Sequence, residues 1–158
     1  MLFMALAGGI VILGKNIHAI GDKMSLVKWN TNYSVEHTAM DSQHQRLFDL
    51  INKLHEAMGQ GKGRETLPEI FESMLQYTKV HFTAEEALLK KHNYPNFEAH
   101  KKLHDDLIAK LTQLQKQFLS GDFSVSMQTR DFLQGWLVEH IKGNDLKYGA
   151  YLKERGLS

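Results

Sequence analysis

Cysteine is absent from the 158-residue chain, which removes disulfide frameworks, thiolate zinc sites, iron–sulfur clusters and cysteine nucleophiles together. Any metal held here must be held by nitrogen and oxygen. Prolines number only two, while Leu, Lys, Glu, Gln, Ala and Met are plentiful, a balance that favours helices over a turn-dense β domain. Neither sign of charge dominates: 19 Lys plus Arg against 18 Asp plus Glu leave a net charge of +1, so nothing marks a nucleic-acid or anionic-membrane partner. A membrane-length apolar run is also missing. The stretch from Met1 to Gly14 has no charged side chain, but as a helix it would reach about 21 Å against a hydrocarbon core of about 30 Å. What is present is an ordinary globular composition, 42% hydrophobic and 23% charged, with length enough for one domain and a short appendage.

The appendage is residues 1–23. It lacks the positive start and small-residue cleavage site of an export signal, and Met24-Ser25-Leu26-Val27-Lys28-Trp29 would serve as a natural beginning. Residues 1–23 are therefore expected to be a dispensable extension, with peripheral membrane association through residues 1–20 the lesser alternative. The domain is expected to span 24–158 in the cytoplasm.

Four segments carry helical periodicity. From Asp41 to Met58 the stripe is His44, Leu47, Ile51, Leu54 and Met58, stopped by Gly59, Gly61 and Gly63. Thr66-Leu67-Pro68-Glu69 resembles a capping box with proline in the first turn, and the stripe after it runs Phe71, Met74, Thr78, His81, Glu85 and Leu88, ending before Asn93-Tyr94-Pro95. Asn96 is the expected N-cap of a third helix, with Phe97, His100, His104, Leu107, Leu111, Leu114 and Phe118 on its stripe. A fourth runs from about Ser126 through Leu133, Trp136, Leu137 and His140 to Gly143-Asn144. Short connections predict an all-α, up-down-up-down four-helix bundle.

Of the nine histidines, His44, His81, His100, His104 and His140 fall on these stripes, where a bundle normally places Leu or Ile. One such residue is most simply a core histidine bonded to a carbonyl. For all of them, a shared metal site is the economical explanation, because a metal satisfies several buried imidazoles at once. The spacing agrees. His100 and His104 stand one turn apart on one face, and His81 and Glu85 repeat that geometry. Asp145 lies five residues after His140, about 140° away on an ideal helix. The helix must loosen between them, and Gly143-Asn144 are the residues expected to do so by adopting a left-handed conformation.

If two six-coordinate ions share these imidazoles, two bridging carboxylates and a solvent-derived oxo or hydroxo bridge, one position stays open. Imidazole and carboxylate without sulfur suit iron, whereas a lone tetrahedral zinc would leave several of these ligands with no role. No glutamate is followed by histidine three residues later, which excludes the ferritin-like di-iron class, and the His-Glu-x-x-His zinc peptidase signature is missing.

In order along residues 29 to 155, Asp41-Ser42-Gln43-His44, His81-Phe82-Thr83-Ala84-Glu85-Glu86, His100-x-x-x-His104 and His140-Ile141-Lys142-Gly143-Asn144-Asp145 resemble the successive motifs of the hemerythrins in their single-domain bacterial form. The resemblance implies that His100, His104 and His140 hold one iron, that His44 and His81 hold the other, and that Glu85 and Asp145 bridge them. It implies reversible dioxygen binding at the second iron, for storage, transport or delivery. It also implies an oxygen pocket lined by Leu47, Phe82, Trp136 and Leu137, which would serve equally as bundle core. No catalytic residue is assigned, since the stripe positions around the open site are apolar rather than acid or base. The alternatives are an oxygen or redox sensor, and a di-iron enzyme acting on peroxide or nitric oxide. His18, His37, His55 and His92 are read as ordinary histidines, and Glu86 as a solvated or supporting group.

Overall fold

The computed structural model describes residues 25–122 and 124–157, so the expectations for residues 1–23 fall outside it. After a single 3-10 turn at Thr31–Tyr33, four long helices follow: α1 (Thr38–Gly59), α2 (Gly63–Lys91), α3 (Phe97–Leu119) and α4 (Val125–His140). A π turn, Ile141–Asp145, then leads directly into a short α5, Leu146–Lys153. No strand occurs among the described residues. α1 packs beside α2 and α4, and α3 beside the same two. With connections of a few residues this is the expected up-down-up-down square.

The helix ends share one device. After α1, the Lys62 amide donates to the Ala57 carbonyl at 2.7 Å and the Gly61 amide to the Met58 carbonyl at 3.0 Å, with Gly61 left-handed at φ 74°. This is the Schellman pairing that satisfies the last carbonyls of a helix. The same pairs recur around Asn93 after α2 and Gly121 after α3, both also at positive φ. Asn93 can fill that role because its short polar side chain tolerates the left-handed region.

α2 starts earlier than its sequence suggests. Its first residue is Gly63 rather than one near Thr66, and Pro68 lies inside the helix. Gly63 packs so closely on α1 that a Cβ there would come within 2.5 Å of Met58 Cγ, so the turn hands the chain to α2 at once. Asn96 does precede α3, but its side chain makes no cap hydrogen bond.

The stripes form the core, and they interrupt it in one layer. Leu47, Ile51, Leu54, Leu67, Ile70, Phe71, Leu107, Leu111, Leu114 and Leu133 belong to one apolar cluster, while Val35, Met40, Leu89, Tyr94, Tyr148 and Leu152 form another. On α1 His44 stands between Met40 of the second cluster and Leu47 of the first, and on α2 Glu85 stands between Phe82 of the first and Leu89 of the second. That layer therefore lies toward the end of the bundle where α2 ends, α3 begins and the π turn sits.

α5 is pressed against the segment that leads into α1. Gly149 is buried, and a Cβ on it would meet the Val35 carbonyl oxygen at 2.7 Å and Val35 Cα at 3.1 Å. These are backbone atoms and cannot swing aside. Gly149→Ala should accordingly cost about 1–3 kcal/mol, lowering the midpoint of thermal unfolding by roughly 2–4 °C per kcal/mol. Circular dichroism melting of the two proteins checks this.

Candidate metal centre

His44, His81, Glu85, His100, His104, His140 and Asp145 are all buried, each at most 4% exposed. All the side chains expected to act as metal ligands are thus in the polar layer. Two groups among them could each hold a metal ion: Glu85 with His100, His104 and His140, and Glu85 with His44 and His81, the donor atoms of each group lying within 4.8 Å of one another. Glu85 belongs to both. Its Oε1 is 2.6 Å from His100 Nε2 and 3.3 Å from His104 Nε2, while its Oε2 is 3.5 Å from His81 Nε2 and 3.8 Å from His44 Nε2.

Asp145 divides its oxygens in the same way. Oδ1 faces His140 Nε2 at 3.1 Å and His100 Nε2 at 3.4 Å, and Oδ2 faces His44 Nε2 at 3.3 Å. It reaches this place through the π turn, not through a left-handed break. Gly143 and Asn144 are not among the residues at positive φ, and the Leu146 amide donates to the Ile141 carbonyl five residues back. A π turn aligns residues i and i+5, which cancels the angular offset between His140 and Asp145 while keeping the helix unbroken.

The unpartnered atoms test whether a cation fits. Both ring nitrogens of His44 and both oxygens of Asp145 are buried without a hydrogen-bond partner, a costly arrangement that a positive ion at their centre would resolve. His104 Nε2 and His140 Nε2 face each other at 3.1 Å, as two lone pairs turned toward one acceptor would. Donors of nitrogen and oxygen only, converging from four helices, fit divalent transition metals.

Supporting groups hold the rings from behind. His81 Nδ1 donates to Gln43 Oε1 at 2.8 Å, and His104 Nδ1 to Glu86 Oε1 at 2.9 Å, which directs both Nε2 lone pairs inward. The Tyr148 hydroxyl donates to Glu85 Oε2 at 2.9 Å. Of these partners, sequence reasoning singled out only Glu86. Gln43 precedes His44 directly and Tyr148 follows Asp145 by one turn, so adjacency to a ligand was the available signal. Asp41 fastens the incoming chain, accepting from Ser34 Oγ at 2.6 Å and from the Val35 amide at 2.8 Å.

The apolar positions divide. Phe82 stacks flat on His104, with centroids 3.7 Å apart and planes 2° from parallel, and Trp136 stacks on His140 at 4.2 Å and 14°. Both therefore cover imidazoles of the three-histidine group. Leu47 and Leu137 are buried, while Trp136 is half-buried. Trp29, which sequence reasoning did not assign to the site, places its ring 6.3 Å from that of His44. His37, His55 and His92 take no part in either metal-binding group.

A helical bundle with buried nitrogen and oxygen donors gathered in two adjoining groups defines a metal-binding four-helix bundle protein. The family model for the hemerythrin HHE cation binding domain matches residues 36–152, and the chain belongs to the hemerythrin family. It is 35% identical over 130 residues to a bacteriohemerythrin of Methylococcus capsulatus, covering 82% of this chain and 98% of that protein. It is 32% identical over 125 residues to one of Pseudomonas aeruginosa, covering 79% of this chain and 80% of the relative. A crystal structure of wild-type hemerythrin superposes with a TM-score of 0.72 at 34% identity, over 79% of this chain and 96% of that one. No helix among the described residues is long and apolar enough to cross a membrane.

Without metal, the layer titrates unevenly. Burial pushes His81 and His140 down from 6.5 to about 3. Burial also opposes charge on His44 and His104, but the Glu85 carboxylate beside both rings and the charge of Asp145 outweigh it and raise both. Burial would raise Glu85 too, yet the hydrogen bond from His100 and the imidazoles of His104, His44 and His81 around it hold it well below the usual carboxylate range. Asp145, with no such bonds, is driven well above it by burial and by the charge of Glu85. The depressed pKa values of His81 and His140 mean that their contribution to the fold is complete above pH 6.5 and is lost as pH falls from there toward 3. An imidazole NMR titration of the metal-free protein should show His81 and His140 neutral at pH 5, while His44 and His104 release protons only above pH 6.5.

Proposed function

We propose that the chain binds dioxygen reversibly at a pair of iron ions, acting as a carrier for storage, transport or delivery and not as an enzyme. The observation that carries this reading is the division of Glu85, one oxygen toward His100 and His104 and the other toward His81 and His44. Asp145 repeats it. His100, His104 and His140 would hold one ion, His44 and His81 the other, and Glu85 and Asp145 both. Held there, a pair of ferrous ions would supply reversible electron transfer to dioxygen.

The protein's own side chains would hold the ligands and exclude water. Glu86 and Gln43 fix the rings of His104 and His81, and Tyr148 fixes Glu85. Of the expected pocket residues, the buried Leu47, Phe82 and Leu137 are apolar and have no proton to deliver, so they favour release of oxygen unchanged over its loss as a reduced species. Membership of the hemerythrin family supports the same reading.

Metal analysis of the purified protein should return two Fe and little Zn per chain. His100→Ala or His104→Ala should remove iron, and His55→Ala or His92→Ala should leave it bound; equal loss in both pairs would mean the wrong residues are assigned. The optical spectrum on reduction and exposure to air tests the function, with repeatable oxygenation expected. Steady consumption of hydrogen peroxide or nitric oxide with an electron donor would instead make the protein an enzyme.

Leu137 is the wall to perturb. It precedes His140 by three residues and is buried, so Leu137→Ala should leave a gap that admits water, at a stability cost of roughly 2–5 kcal/mol. The oxygenated spectrum should then decay faster with both irons still bound. Unchanged decay in a folded, fully loaded variant would reduce Leu137 to ordinary core.

A further inference from the structure

Unlike partners stand behind the two metal-binding groups. In the three-histidine group His104 Nδ1 donates to Glu86 Oε1 at 2.9 Å; in the two-histidine group His81 Nδ1 donates to Gln43 Oε1 at 2.8 Å. The distances match but the acceptors do not, since one is a carboxylate and the other a neutral amide. Hydrogen bonds to a charged acceptor are about twice as strong as neutral ones, and a carboxylate behind an imidazole makes its other nitrogen a better donor to metal. That other nitrogen faces Glu85 in both cases, His104 Nε2 at 3.3 Å from Oε1 and His81 Nε2 at 3.5 Å from Oε2. Glu86 reaches from the surface to a buried ring: its side chain is 22% exposed while the ring it supports is 1% exposed. Water solvates one side of the carboxylate, and its hydrogen bond carries the effect inward.

We infer that this contrast sets the order in which the site fills: Glu86 strengthens His104 and tightens the three-histidine position, while Gln43 orients His81 without strengthening it. Both are positioning residues acting through a histidine. The inference rests on the two-ion reading above, and its test separates the two. The metal-free protein is titrated anaerobically with Co(II), followed by visible absorption and by the paramagnetically shifted Nδ1–H resonances of His104 and His81. Two steps per chain are expected, the first moving the His104 proton and the second the His81 proton. Glu86→Gln, which preserves shape and removes charge, should weaken the first step about 10–100-fold and leave the second unchanged. Gln43→Glu should tighten the second step by a similar factor and leave the first unchanged, an independent arm should the first variant fail to fold. Circular dichroism of each metal-free variant verifies folding. An unchanged first step in folded Glu86→Gln, equal weakening of both steps, or no tightening in folded Gln43→Glu overturns the inference. A wild-type protein that takes up one ion per chain, or none, overturns the two-ion reading itself.

Discussion

The desolvation of five imidazoles and two carboxylates in one layer of a helical bundle is the constraint to which the rest of this structure answers. Buried polar groups cost free energy unless each finds a partner, and the cost rises steeply for charge. The apolar clusters on either side of the layer supply the burial that holds the helices together. The polar layer draws its compensation from within itself: Glu85 is satisfied by His100 and Tyr148, while Asp145 and His44 are left for a cation to satisfy. Helix ends, π turn and supporting hydrogen bonds all serve to bring these groups within a few ångströms.

Support for the layer comes from more than one depth. Gln43 and Glu86 fix the orientation of rings whose inner nitrogens converge, and Phe82 and Trp136 lie flat on two of the imidazoles. His104, held both at its far nitrogen and across its face, has the least freedom to swing. Part of the donor geometry, at His81, His104 and His140, is thereby held by the protein itself, which lessens what binding must spend on ordering ligands.

Much of this was legible in the sequence because a helical stripe reports burial directly. His44, His81, Glu85, His100, His104 and His140 each sit where a period of 3.6 places a core residue, and each is buried. Asp145 breaks that period, so its need to join the others was readable but the means was not: the left-handed conformation expected at Gly143-Asn144 is replaced by a π turn. Local propensity could not separate these, because both correct the same angular error and only the continuing helix α5, packed on Val35 through Gly149, selects the unbroken one. The start of α2 was misplaced for a related reason. Thr66 and Glu69 look like a cap, but the close packing of Gly63 on Met58 begins the helix sooner. Gln43 beside His44 and Tyr148 one turn after Asp145 were marked only by adjacency to a ligand, and what each bonds to follows from tertiary position.

The π turn has a consequence for what the chain can tolerate. Lys142 is exposed and Gly143 and Asn144 are half-buried, so packing places little demand on which side chains stand there. Their number is another matter. Removing one residue between His140 and Asp145 would let the π turn rewind to ordinary α-helix, with Asp145 still one turn after His140 and Tyr148 and Gly149 still in phase with it. Adding one would turn the carboxylate away altogether. This short stretch is thus bounded in length more than in composition: substitutions are cheap there, one residue fewer leaves ordinary α-helix, and one residue more breaks the alignment.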